Sequence, residues 1–172
     1  MTDALEYYTS VEPKCKELQK YIAYYYFDVS LKEKSLKKFI FYPHYRNALT
    51  VYRNSKMSFG DNSSYVSCCK EKLYEICYTG IHLKSRLGKI ETPYDKIGVV
   101  FQPLGFNNFI EESLSKVIDK SPKSNLDCFG SPFNRVLDVV YEADTIESKV
   151  KALDAFFLNR CLLYTSPSPR DA

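Results

Sequence analysis

One change of hydrophobic period constrains this chain more than anything else in it. Up to about Phe101, apolar and aromatic residues come in short tyrosine-rich runs that suit strands. Past about Asn107 they recur every three or four residues, which suits amphipathic helices. The two regimes meet in Ile97 to Phe109, Ile-Gly-Val-Val-Phe-Gln-Pro-Leu-Gly-Phe-Asn-Asn-Phe. This stretch reads as a buried strand, Ile97 to Phe101, ended at Gln102-Pro103 and turned by Gly105 into a helix. Strands in one block and helices in the next point to an α+β chain, not to alternating βαβ units.

Composition agrees with a strand-rich first half. Fifteen tyrosines and eleven phenylalanines, without tryptophan, favour pleated surfaces on which rings pack well. The 172 residues make one ordinary domain, or a domain plus a small appendage, with 45% hydrophobic and 26% charged residues.

Leu18 to Val29 is the first convincing strand. Tyr21, Ala23, Tyr25 and Phe27 alternate with Ile22, Tyr24 and Tyr26, so both faces are apolar or aromatic and both call for cover. Residues 1–17 read as a polar lead-in, and Lys32 to Lys38 as a charged, solvated link. Further strands are expected at Phe39 to Tyr42, Ala48 to Tyr52, Tyr65 to Cys69, Leu73 to Thr79 and Gly80 to Leu83. Gly88 to Asp95 reads as a loop into the Ile97 strand. That makes six or seven short strands, expected to form an antiparallel sandwich or half-barrel, followed by about three helices. The helices are expected at Asn107 to Ile118, from Ser131-Pro132 onward, and from an Asp144-x-x-Glu147 capping box onward. Their apolar stripes are Phe133, Val136, Leu137 and Val140, then Ile146, Val150, Leu153 and Phe157.

Charge and motifs narrow the chemistry. A net charge of +3 is small for this length, where nucleic-acid-binding domains carry a stronger, clustered excess of Lys and Arg, and it neither supports nor excludes DNA contact by this segment. No run of about 18 apolar residues occurs, so no membrane partner is expected. The start has no basic, then apolar, leader, which sets the expectation of a cytoplasmic protein with reduced cysteines. His44 and His82 are the only histidines, and no Cys-x-x-Cys, nucleophile motif or glycine-rich phosphate loop occurs. No metal, no cofactor and no catalytic residue is therefore assigned. What remains is a tyrosine-rich mix with a few polar groups, Tyr42, His44, Tyr45, Arg46 and Asn47, of the kind that lines small-molecule clefts.

Two stretches carry a family resemblance. Phe41 to Ser55 (Phe-Tyr-Pro-His-Tyr-Arg-Asn-Ala-Leu-Thr-Val-Tyr-Arg-Asn-Ser) resembles the early strand pair in the N-terminal region of AraC-type bacterial transcription regulators. The junction residues Phe101, Pro103, Gly105, Phe106 and Phe109 are similar to a recurring segment of the same family, as are Phe129-Gly-Ser-Pro132 and the helices after it. The resemblance spans roughly residues 18–160. It implies a cupin-like region that senses a small-molecule effector and forms a homodimer, joined to a helix-turn-helix DNA-binding domain that this chain lacks. Within that reading, 18–103 is the β-rich sensor and 104–160 its helical dimerisation and linker portion. Cys161 to Asp171 resembles translated sequencing-adapter DNA, so 161–172 is read as an artefactual tail and the native chain is expected to differ beyond Arg160. The alternatives are a cupin-like enzyme acting on a small molecule, or a stand-alone ligand-binding or adaptor protein.

Overall fold

The strand alternation read in Leu18 to Val29 places Tyr25 and Phe27 on one face and Tyr24, Tyr26 and Asp28 on the other. Both faces are covered. A computed structural model of the chain describes residues 6–81, 83–120 and 126–165. Its strands are β1 (Glu6–Val11), β2 (Ile22–Ser30), β3 (Leu36–Phe41), β4 (Ala48–Arg53), β5 (Ser55–Gly60), β6 (Ser63–Cys68), β7 (Tyr74–Thr79), β8 (Arg86–Glu91) and β9 (Tyr94–Phe101). They are followed by α1 (Leu114–Lys120), α2 (Gly130–Glu142) and α3 (Ile146–Thr165).

One sheet has the order β1-β2-β9-β4-β7, and the other β3-β8-β6-β5. Among the described residues the strand pairs are antiparallel except β6 with β8, which is parallel. The chain is thus α+β, with helices, a five-stranded sheet and a four-stranded sheet stacked as layers. The helical stripes lie against the outer face of the five-stranded sheet. Phe133, Leu137, Val140, Val150, Leu153 and Phe157 are all 0–1% exposed and belong to the main core with Tyr25, Phe27, Val51 and Ile97. Phe157 is its hub, with ring centroids 5.0 Å from Phe109, 5.9 Å from Phe129 and 6.2 Å from Phe101. Between the sheets the apolar cluster is small: Tyr52, Val66, Ile90 and Tyr94, with Phe39 and Met57 beside them.

The described residues form nine strands, not six or seven, and each additional one has a physical reason for being hard to read. β1 lies in the segment read as a lead-in; it is an edge strand whose Glu, Thr and Ser positions remain partly exposed. β5 carries Ser and Lys among its apolar residues and occupies the edge of the other sheet. β8 runs into the stretch Gly88 to Asp95, which contains Thr92-Pro93 and reads as a loop; its Gly88 weakens the strand pattern. That glycine sits under the Phe39 ring, where an added Cβ would lie 2.4 Å from Phe39 Cε2. Conversely, Gly80, Ile81 and Leu83 belong to no strand, and His82 lies outside the described residues. The charged link is part strand, since β3 begins at Leu36, while Leu18–Lys20 is a 3-10 turn preceding β2.

The helical half also departs from its expected boundaries. Asn107 to Ile118 is not one helix: a 3-10 turn at Gly105–Phe109 gives way to extended Ile110, and α1 starts at Leu114. α2 begins one residue before Ser131, with Gly130 N–H donating to Asp127 Oδ1 at 3.0 Å. At α3 the cap is Thr145, not Asp144; its hydroxyl accepts the Ser148 N–H at 3.1 Å. α3 continues past Arg160 into the adapter-like stretch, with Cys161 buried.

Candidate functional site

Because side chains alternate along a strand, the inner face of the five-stranded sheet is set by residues two apart. β2 contributes Tyr24, Tyr26 and Asp28, β4 contributes Ala48, Thr50 and Tyr52, and β9 contributes Lys96, Gly98 and Val100. β4 and β9 are neighbours paired Thr50 to Gly98, and β9 pairs with β2 through Gly98 to Tyr26. Gly98 has no side chain there because the Tyr26 ring occupies the space, 1.8 Å from where a Cβ would stand. The ring lies flat over the strand and stacks on Tyr8 of β1, with centroids 5.9 Å apart.

Of these positions Tyr24, Tyr26, Ala48, Thr50, Lys96 and Val100 line a cleft of about 500 Å³ between the sheets, walled also by Tyr8, Tyr45 and Thr79, with His44 and Arg46 joining Lys96 as basic groups. No Asp or Glu is among the lining residues. A smaller recess of about 60 Å³ shares Tyr26, Phe41, Thr50, Thr79 and Lys96 and reaches Tyr52, Met57, Cys77 and Arg86. A volume of this size, with aromatic walls and a few placed polar groups, has the proportions of a small-molecule site.

The floor is a largely buried ion pair. Lys96 Nζ lies 2.8 Å from Asp28 Oδ2, and Tyr94 Oη donates to Asp28 Oδ1 at 3.0 Å. The Tyr26, Tyr52 and Phe39 rings stand 5.4, 5.8 and 6.0 Å from the same ammonium. Burial opposes the charge on Lys96, but Tyr26, Tyr52 and Asp28 outweigh it and raise the pKa above the ordinary lysine value. Lys96 therefore stays an ammonium and is no amine nucleophile. Tyr52, 3% exposed, has its phenol pushed up by burial, and burial pushes the Cys77 thiol up to about 11, so no thiolate faces this space at neutral pH. The cleft can bind and orient; its described groups include no activated nucleophile.

Of the residues singled out in the sequence, His44, Tyr45 and Arg46 line the cleft. Tyr42 does not; it is 71% exposed and outside the lining. Asn47 is buried, and its carbonyl accepts the Phe101 N–H at 2.9 Å, which ties the cleft segment to the junction. In that junction Phe101, Phe106 and Phe109 are fully buried core residues, Gly105 packs against the Tyr21 backbone, and Pro103 is exposed. Sequence reasoning missed Lys96, Asp28, Tyr8, Tyr24, Tyr26 and Thr50 as a set. Alternation on β2 does place Tyr24, Tyr26 and Asp28 on one face, but their meeting with Lys96 depends on a strand register no local pattern records. Among the described residues no group of three His, Cys, Asp or Glu side chains is arranged to hold a metal, and no helix is long and apolar enough to cross a membrane. Comparison with family models, curated proteins and solved structures finds no match to this chain.

Proposed function

We propose that this chain is the effector-sensing region of an AraC-type transcription regulator, binding a small molecule in the cleft between its sheets. The observation that carries the binding role is the cleft itself: about 500 Å³, aromatic-walled, with basic but no acidic lining. The AraC-type reading rests on the sequence resemblance, and the layered α+β arrangement is compatible with the cupin-like shape that the resemblance implies.

The mechanism follows from two faces of the same strands. β2, β4 and β9 present cleft residues inward and, at alternate positions, core residues toward the helices: Tyr25 stacks on Phe157, and the Tyr141 hydroxyl donates to the Val51 carbonyl at 2.9 Å. A ligand that favours one arrangement of these strands biases the helical layer by its differential affinity for the two arrangements, a population shift. In the intact regulator, a homodimer, that layer leads on to the DNA-reading domain. The stripes of α2 and α3 are occupied by the sheet, so the dimer surface would use other residues.

Long-read sequencing of the locus tests the regulator reading. About 100 further codons encoding two helix-turn-helix units are expected in place of the adapter-like segment. A stop codon directly after Arg160 would overturn it in favour of a stand-alone binding protein.

A further inference from the structure

Arg46 stands apart from the other cations of the molecule's cleft. Lys96 is neutralised by Asp28, whereas Arg46 makes no ion pair among the described residues. Its guanidinium lies over two rings, 5.5 Å from the Tyr45 centroid and 6.0 Å from that of Tyr24. Its Nε is buried and has no hydrogen-bond partner among the described residues. A buried, unsatisfied donor on a charged group is costly, and the cost is recovered when an acceptor reaches it. Glu12 borders an adjoining polar recess that Arg46 also lines, yet no ion pair joins the two.

We infer that the cleft takes a small ring-bearing carboxylate, its carboxylate forked onto Arg46 and its ring laid against tyrosine faces. This rests on the ligand-sensing reading above and names the ligand class for it. A planar guanidinium matches a carboxylate with two parallel N–H donors, which a lysine cannot reproduce. One Arg46 without a carboxylate partner balances one negative charge, while Lys96 is already engaged, so a monoanion fits better than a dianion. The aromatic wall is made by Tyr8, which stacks on Tyr26 at an inclination of 25°, and by Tyr24 and Tyr45 beside the Arg46 guanidinium. Offset stacking on those faces favours a planar ring over a puckered one of equal size. The absence of Asp and Glu from the lining removes the repulsion that an anion would otherwise meet.

Titration calorimetry or ligand-observed NMR on the full chain, with benzoate, benzamide and cyclohexanecarboxylate as probes, tests this. Benzoate is expected to bind at least ~10-fold more tightly than benzamide, the size of one charge-assisted hydrogen-bonded pair. Cyclohexanecarboxylate is expected to fall below benzoate. In Arg46→Met the benzoate-to-benzamide ratio should collapse toward one, and Arg46→Lys should recover only part of it, with circular dichroism confirming that each variant is folded. The wild-type ratios decide the matter even if a variant does not fold. Equal affinity for benzoate and benzamide, or a ratio unmoved in folded Arg46→Met, overturns the carboxylate inference and leaves a neutral-ligand sensor standing. Equal affinity for benzoate and cyclohexanecarboxylate removes the ring. No saturable binding by any of the three overturns the ring-bearing carboxylate inference, while the sensing role stands or falls on the locus sequencing above.

Discussion

Asp154 on α3 is 8% exposed and accepts three hydrogen bonds: from the Lys14 and Cys15 amides at 2.8 and 2.9 Å, and from the Tyr25 hydroxyl at 2.8 Å. One carboxylate thus fastens the segment before β2, and β2 itself, to the last helix. Asp154→Ala leaves two amides and a hydroxyl unsatisfied and should destabilise the fold by about 3 kcal/mol in urea unfolding. Glu75 is a different kind of buried carboxylate. Burial pushes its pKa up, and Lys56 only partly opposes the shift. The folded chain therefore holds this proton to higher pH than the unfolded chain, so Glu75 costs stability as pH rises through that interval. Glu75→Gln is expected to raise the melting temperature at neutral pH, and the gain should vanish below the ordinary glutamate range, as measured by thermal melts across pH.

The junction element shows what one glycine can decide. Gly105 opens the 3-10 turn after β9, and a Cβ there would stand 2.0 Å from the Tyr21 carbonyl oxygen, a backbone atom that cannot swing aside. The contact is tight because the Gln102 N–H donates to that same carbonyl at 2.8 Å, pinning β9 to the turn before β2. Gly105→Ala should cost about 3 kcal/mol, through overpacking alone, in the same urea assay. Leu104, in the left-handed region at φ 62°, supplies the reversal just before it. The junction was legible as a change of period, since Pro103 and Gly105 punctuate it locally. That the helix after it breaks at Ile110 was not, because Phe106 and Phe109 both turn into the ring cluster and dictate the backbone between them.

At the scale of the molecule, the helices and the five-stranded sheet share one aromatic core, and Phe157 is where they meet. It contacts rings from β2, β9, the junction and α2. Phe157→Ala should lower stability by about 4 kcal/mol and still unfold in a single transition, checked by coincident circular dichroism and tyrosine fluorescence. The inter-sheet space is built otherwise, with a small apolar cluster and a largely buried ion pair, and so it has room for a cleft. By itself the sequence determined the α+β division, the strand faces of β2, the buried stripes of α2 and α3, and the aromatic, weakly cationic character of the segment around Arg46. Each of these is written in the spacing of side chains along one element, where backbone geometry alone sets which residues share a face. The tertiary structure decided that β9 lies between β2 and β4, that Lys96 meets Asp28 beneath Tyr26, and that Arg46 comes to the rim of their cleft while Tyr42 does not. Those contacts join residues far apart in the chain, and strand order and register arise from the packing of whole sheets, which no local pattern encodes.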